Sequence, residues 1–536
     1  MQFCKFILGV ALLTSCTGNS DEKPVEGERV SLQEAILPDT TATLHLSGQQ
    51  LAQAYCAACH AFPDPQLLDK TTWQKGVLPQ MAIRLGLNTA GISIYMNRPP
   101  QEVTALMQAG IFPDKPLISE RDWSKIESYY LQNAPEQLSF PAAAEVKPDL
   151  EGFSAVLPEL NKSNPALTTL IKYEVSGQAL WVGDMRSWLY RLDEKLHVMD
   201  SIQLESAPVD MVRENSAYKV LTIGVMDPSE LKNGQLLQIS DPAKSTTPKL
   251  LLEGLRRPVA MEVADLDGDH LQDIIVCNYG NNIGSLVWYR NMGQGKYASV
   301  VLKDLPGARK VDVIDLNRDG RLDLVVMFAQ GTEAVKVFYN EGHGQFKEEN
   351  LVQFPPVYGL SFFELVDFNK DGFPDFVISN GDNADYSPVV KHYHGIRILL
   401  NDGRNKFKEE YFYPMPGASK VLARDFDQDG DLDLAAISFF PDFRHAPEKG
   451  FVYLQQEKPL NFTASTFSQS QSGRWLTMEA GDYDQDGDAD ILLGSFIYTP
   501  APPGMQEKWR KEGAALMVLQ NQKVKNKGKA FLKINQ

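Results

Sequence analysis

DLDGDHLQD at 265–273, DLNRDGRLD at 315–323, DFNKDGFPD at 367–375, DFDQDGDLD at 425–433 and DYDQDGDAD at 482–490 are five versions of one nonapeptide, D-x-[DN]-x-D-x-x-x-D. Their starts lie 50, 52, 58 and 57 residues apart, a spacing that marks a repeat architecture. Each follows an alternating stretch such as Ala260-Met261-Glu262-Val263-Ala264. Each precedes an apolar one: Ile274-Ile275-Val276, Leu324-Val325-Val326, Phe376-Val377-Ile378, Leu434-Ala435-Ala436 or Ile491-Leu492-Leu493. Three repeats continue into a tight turn at Asn291-Met292-Gly293, Asn340-Glu341-Gly342 or Asn401-Asp402-Gly403, with an aromatic strand beyond it at Tyr297, Phe346 or Phe407. About four strands per repeat is the unit of a propeller blade. Two weaker repeats, around Leu180–Leu192 and Val220–Ile239, lack the aspartate loop. Five plus two predicts an all-β propeller of seven blades over 161–536.

The loops carry their own chemistry. A hard cation such as Ca²⁺ takes six to eight oxygen ligands, and positions 1, 3, 5 and 9 offer carboxylates or an Asn carbonyl, with a backbone carbonyl at position 7. Position 6 is Gly320, Gly372, Gly430 and Gly487 in four loops, as a sharp turn requires. The first loop departs from this, with Gly268 at position 4 and His270 at position 6, so its site is the least secure of the five. The loops are similar to EF-hand ligand sets, but strands flank them and the distal glutamate is missing.

The set resembles the FG-GAP or VCBS repeat family, whose seven-bladed propellers include the integrin α-subunit head. That resemblance implies calcium on Asp265, Asp267, Asp269 and Asp273 of the first loop and Asp315, Asn317, Asp319 and Asp323 of the second. It implies the same for Asp367, Asn369, Asp371 and Asp375, for Asp425, Asp427, Asp429 and Asp433, and for Asp482, Asp484, Asp486 and Asp490.

Upstream, Cys56-Ala57-Ala58-Cys59-His60 is the attachment sequence for haem c. On a helical turn the two thiols reach the two vinyl groups of one porphyrin, and the adjacent imidazole lies under the iron. A redox dithiol would call for a thioredoxin-like βαβ context, and a zinc site for a second cysteine pair; neither is present. Residues 46–136 read as helical, with helices expected over Leu51–Ala61, over Thr71–Leu85 and from Ser119, whose Ser-x-x-Asp resembles a capping box. Trp123, Ile126 and Tyr130 share one face of the last, and Pro135 ends it. The stretch resembles a small class I cytochrome c, and the expected fold class is therefore multidomain: a small all-α cytochrome c domain followed by the propeller. The resemblance implies a methionine as second iron ligand. Met81, after Leu78-Pro79, is favoured, with Met107 and Met96 as alternatives.

The first residues read as an export signal. Lys5 is followed by the apolar run Phe6–Leu13, and Leu13-Thr14-Ser15-Cys16 resembles the processing box of bacterial lipoproteins. That implies a signal peptide over 1–15, lipid on Cys16 and an exported lipoprotein of the outer membrane, facing the periplasm or the cell surface. A flexible tether is expected over 16–45 and a linker over 137–160, both rich in Pro and small residues. Cys277, alone in an apolar strand, reads as a small buried hydrophobe.

The chain has 536 residues, 43% hydrophobic and 23% charged, with a formal charge of −17. That length calls for more than one core, and that acidity argues against a nucleic-acid partner. No nucleophile–base constellation, dinucleotide fingerprint or phosphate loop is present. The leading expectation is a membrane-anchored electron-transfer protein whose propeller docks a redox partner protein or a surface ligand such as a glycan. An oxidoreductase whose propeller holds substrate, and an adhesion or scaffold protein with a regulatory haem, are the alternatives.

Overall fold

The computed structural model describes residues 43–88, 91–140, 145–158, 160, 166–175, 178–240, 247–382, 386–497 and 502–523. The expected signal peptide, Cys16 and most of the tether lie outside them. No helix among the described residues is long and apolar enough to cross a membrane.

Five helices come first: α1 (Gly48–Cys56), α2 (Lys70–Thr72), α3 (Leu78–Arg84), α4 (Pro100–Ala109) and α5 (Glu120–Asn133). Helix α1 opens on a capping box between Ser47 and Gln50 and ends at Cys56, five residues short of the expected Ala61, because the CxxCH segment leaves the helix as a turn. A π-turn over Trp73–Val77 joins α2 to α3, so the helix expected over Thr71–Leu85 is continuous but locally widened. Ser119 caps α5 by accepting the Asp122 amide at 3.1 Å. Leu51, Ala52 and Tyr55 of α1 are buried, as are Trp123, Ile126 and Tyr130 of α5, and the two helices pack together. They meet at Gly48, where a Cβ would lie 2.2 Å from the Lys125 carbonyl oxygen. Helix α4 lies within the stretch read as helical but is not one of the three helices expected there; Pro100 suits its first helical position.

The rest is a seven-bladed β-propeller. Six blades are consecutive four-stranded antiparallel sheets, at 168–203, 208–255, 258–303, 308–354, 360–414 and 418–465. The seventh takes three strands from 475–521 and its outermost strand, Phe153–Val156, from the other end of the propeller, paired antiparallel with Leu516–Asn521. The stretch expected as a linker therefore contains a propeller strand, too short at four residues to show an alternation. Inter-blade cores are continuous; that between the last two blades joins Phe426, Phe451, Trp475 and Met478.

This topology sorts the connections. The first strand of each blade touches its neighbours' first strands and is innermost. The acidic loops, joining first to second strands, all lie at one end of the propeller. The connections between second and third strands lie at the other, and there the helices pack. Arg84 reaches Asn282, Glu102 receives Ser229 and Glu230, and the Leu67 carbonyl accepts the Tyr393 hydroxyl at 2.9 Å.

Candidate functional site

Two sites lie at opposite ends of the molecule. At the helical end, Cys56 closes α1 and the Cys59 amide donates to the Cys56 carbonyl at 3.5 Å, which sets the two thiols one turn apart. His60 donates from Nδ1 to the Ala61 carbonyl at 2.9 Å, which orients the ring and leaves the Nε2 lone pair for a ligand. Burial lowers the His60 pKa, and the Arg84 guanidinium works in the same direction, so the ring is neutral as a ligand must be. Burial pushes the Cys56 thiol up to about 11, opposed by the neighbouring Tyr130 hydroxyl, and raises Cys59 as well. A redox dithiol works with a lowered thiol pKa, so this pair is poorly suited to disulfide exchange. No cluster of three metal-ligating side chains among the described residues includes Cys56, Cys59 or His60. The residues present suit covalent haem.

Near the motif, the Trp73 ring lies tilted against Tyr130, centroids 4.4 Å apart, and the Tyr130 hydroxyl donates to the Pro63 carbonyl at 2.9 Å. The Arg84 guanidinium, at the end of helix α3, bears electrostatically on both Cys59 and His60. Met81 is half-buried one turn before Arg84 on that helix, whereas Met96 and Met107 are 66% and 62% exposed.

At the other end the five loops share one geometry. The first aspartate accepts backbone amides from inside its own loop: Asp319 and Gly320 donate to Asp315 at 3.0 and 2.9 Å, and Asp371 and Gly372 to Asp367 at 3.0 and 2.9 Å. Position 6 has φ of +87°, +88°, +103° and +97° where it is glycine. His270 sits there at +66°, a value a side chain tolerates better. Carboxylate oxygens converge within 4.8 Å of one another for Asp265, Asp267 and Asp269, for Asp425, Asp427 and Asp429, and for Asp482, Asp484 and Asp490. In the fourth loop Asp425 Oδ1 is buried with no hydrogen-bond partner, as is Asp431 Oδ1. Burial and the neighbouring aspartates push Asp490 up to about 8, a strain that a cation would relieve. These loops fit calcium. The first fits less well, because Arg290 already pairs with Asp267 and the His270 ring approaches Asp265.

Position 9 has a second task that the loop pattern does not reveal. Asp273, Asp323, Asp375, Asp433 and Asp490 are buried at the start of the second strand. In four of them one oxygen accepts the position-2 amide, as from Phe368 to Asp375 at 3.0 Å. In all five the other accepts an amide from the third strand's end, as from Asn401 at 2.7 Å. Asn340 and Asn521 then donate to the position-2 carbonyls of the preceding blades, Leu266 and Phe426, at 2.7 and 2.8 Å. Position 4 adds a further link, since Arg318, Lys370 and Gln428 donate to the carbonyls of Gly372, Gly430 and Gly487 in the next loop.

The sequence model of the FG-GAP-like repeat matches at 265–326 and 315–378. The blades at 265–378 are FG-GAP-like. Each match begins on the first aspartate of a loop and ends in the second strand of the next blade, so the repeat straddles two blades. Solved structures similar to this chain include the Neurospora crassa Pan2 WD40 domain, at 10% identity over 70% of this chain and 97% of that one, with a TM-score of 0.43. Another is BBS1N in complex with ARL6DN, at 10% identity over 69% and 97% with a TM-score of 0.41. A propeller with FG-GAP-like repeats fits a role in docking a ligand or partner.

Proposed function

We propose that this chain is an exported, lipid-anchored electron carrier, with haem c on Cys56 and Cys59, His60 and Met81 as its iron ligands, and a calcium-stabilised propeller that docks the redox partner. The observation that carries the reading is the CxxCH turn. Its histidine is oriented by a backbone carbonyl and burial raises rather than activates its thiols, while Met81 is half-buried on helix α3. Bound haem would supply one-electron chemistry. This chain's residues orient the imidazole through the Ala61 carbonyl and fix the helices to the propeller through Glu102 and Glu230. Calcium is assigned to the four loops that begin at Asp315, Asp367, Asp425 and Asp482.

The test is pyridine haemochrome analysis of the purified protein, followed by anaerobic addition of candidate small molecules and of partner cytochromes. Covalent haem c reduced only through another redox protein is the expected result. Reduction by a small molecule alone would make the chain an enzyme, and absence of covalent haem would end the reading. Met81→Ala should abolish the sulfur-to-iron charge-transfer band and lower the potential; retention of both would pass the role to Met107 or Met96. Cys16→Ser should release the protein from membranes.

A further inference from the structure

We propose that the second to fifth loops bind calcium cooperatively, each loop bracing the next through the side chain at its fourth position; the proposal rests on the calcium reading above. That position is left-handed in every loop, with φ of +62° at Arg318, +60° at Lys370, +57° at Gln428 and +61° at Gln485. Glycine is the unstrained choice there, and the first loop has it at Gly268, with φ of +78°. The other four loops carry a long polar side chain in a conformation such residues seldom adopt. Three of those four side chains make the same contact. Arg318 donates to the Gly372 carbonyl, Lys370 to that of Gly430, and Gln428 to that of Gly487 at 3.0 Å. Each acceptor is position 6 of the following loop. Arg318 also lies over the Phe373 ring, 4.3 Å from its centroid.

The peptide that receives these donors belongs to the metal site. It joins position 6 to position 7, whose carbonyl is an expected ligand, and its N–H points the opposite way to its oxygen. Phe373 donates to Asp371 at 2.9 Å, Asp431 to Asp429 at 3.0 Å and Asp488 to Asp486 at 3.4 Å. Each of those acceptors is the position-5 ligand. One peptide is thus held at its oxygen by the preceding loop and at its nitrogen by a ligand of its own loop. In the second loop Arg321 makes the inner contact, to Asp319 at 2.9 Å, but Gly268 has no side chain to make the outer one. The linked run therefore spans the second to the fifth loop. It ends at Gln485, which is exposed and precedes a blade without the aspartate nonapeptide.

Cooperativity follows from where the cost of ordering falls. Arg318, Lys370 and Gln428 are all exposed, so each bond alone contributes modestly, and a long side chain loses rotamer freedom to make it. With positions 3 and 5 held on a cation, the backbone of position 4 between them is fixed and its side chain is already aimed. The braced loop then has less left to order when it takes its own cation. The coupling acts equally in the reverse direction.

The experiment is hydrogen exchange with mass spectrometry on the full chain at graded free calcium, which gives each loop its own midpoint, beside equilibrium dialysis for the number of ions bound. In the wild type the loops at 315–323, 367–375, 425–433 and 482–490 should gain protection together over one narrow range. Gln428→Gly and Gln485→Gly are the same substitution at the same left-handed position, and neither residue stands at an expected ligand position. Gln428→Gly should raise the midpoint of the last loop about fivefold, whereas Gln485→Gly should leave it at the wild-type value. Lys370→Gly should raise the midpoint of 425–433 by a similar factor, although loss of a positive charge beside two cation sites would by itself lower it. That variant carries the test if Gln428→Gly fails to fold. Equal last-loop midpoints in the two glutamine variants overturn the proposal, as does a lowered midpoint in Lys370→Gly. A wild type that binds no calcium overturns the calcium reading and this inference with it, whereas a calcium-loaded protein indifferent to Gln428 and Lys370 overturns this inference alone.

Discussion

Glu262 lies on an innermost strand, and burial holds its carboxyl up at about 7. Asp210 and Asp312 push the same way, while Lys310 and Lys172 oppose them. Between its ordinary value of 4.5 and about 7, the folded chain keeps a proton that the unfolded chain has lost. Stability from this group therefore falls as pH rises through that window and is level above it. Glu262→Gln should flatten the slope and leave the protein more stable by about 1–3 kcal/mol at high pH. Urea midpoints taken near pH 5 and near pH 8 check this, and an unaltered slope would refute it. No local pattern announces this residue: Ala260–Ala264 reads as an ordinary alternating strand, and the charges facing Glu262 come from strands 48 or more positions away.

The acidic loop is the element in which sequence and structure meet most closely. Its carboxylates are contiguous, so the ligand set and the turn glycine can both be read from nine residues. The double duty of position 9 cannot, because its partners, such as Asn401 for Asp375, arrive from a later strand. The two kinds of aspartate should respond differently to substitution. Asp375→Ala strands two buried amides and should cost about 3 kcal/mol even in chelator, with a further loss when calcium is supplied. Asp371→Ala removes an exposed carboxylate and should cost stability only when calcium is supplied. Denaturant titrations with calcium and with chelator separate the two; parallel losses at both sites would remove the distinction. Asp429→Ala should likewise lose more calcium-dependent stability than Asp269→Ala, because Arg290 already neutralises part of the first loop. Helix α4 and the hydrogen bond from Asn282 to Glu230 were hidden for a related reason: their meaning lies in contacts between segments far apart in the chain.

Across the whole molecule, cations and ring closure should share the task of holding seven blades together. A cation bound only by the folded loop contributes about 2.7 kcal/mol at a hundredfold excess over Kd. Four such loops could rival a typical domain's net stability of roughly 5–15 kcal/mol. Chelation should therefore lower the propeller's Tm strongly while leaving covalently held haem in place, and equal Tm values with and without chelator would return the loops to plain polar turns. Closure depends on Phe153–Val156, whose Phe153 packs edge-on to Tyr453 at 5.6 Å and to Phe426 at 6.2 Å. Phe153→Ala should cost about 2–3 kcal/mol, seen as a lower urea midpoint; an unchanged midpoint would show that closure does not depend on that ring.

The borrowed strand also imposes a schedule. Ser154 and Gln522, which meet at the closure, stand 368 positions apart in the chain. At a synthesis rate of roughly 5–20 residues per second, tens of seconds separate the appearance of the two edges. Throughout that interval the nascent ring is an arc with an unpaired strand at one end and an incomplete sheet at the other. Such edges invite pairing with a neighbouring chain. A chaperone that masks the early strand until the last blade emerges would therefore raise the yield of closed molecules, and crowding several copies during synthesis would favour rings completed by another copy's strand.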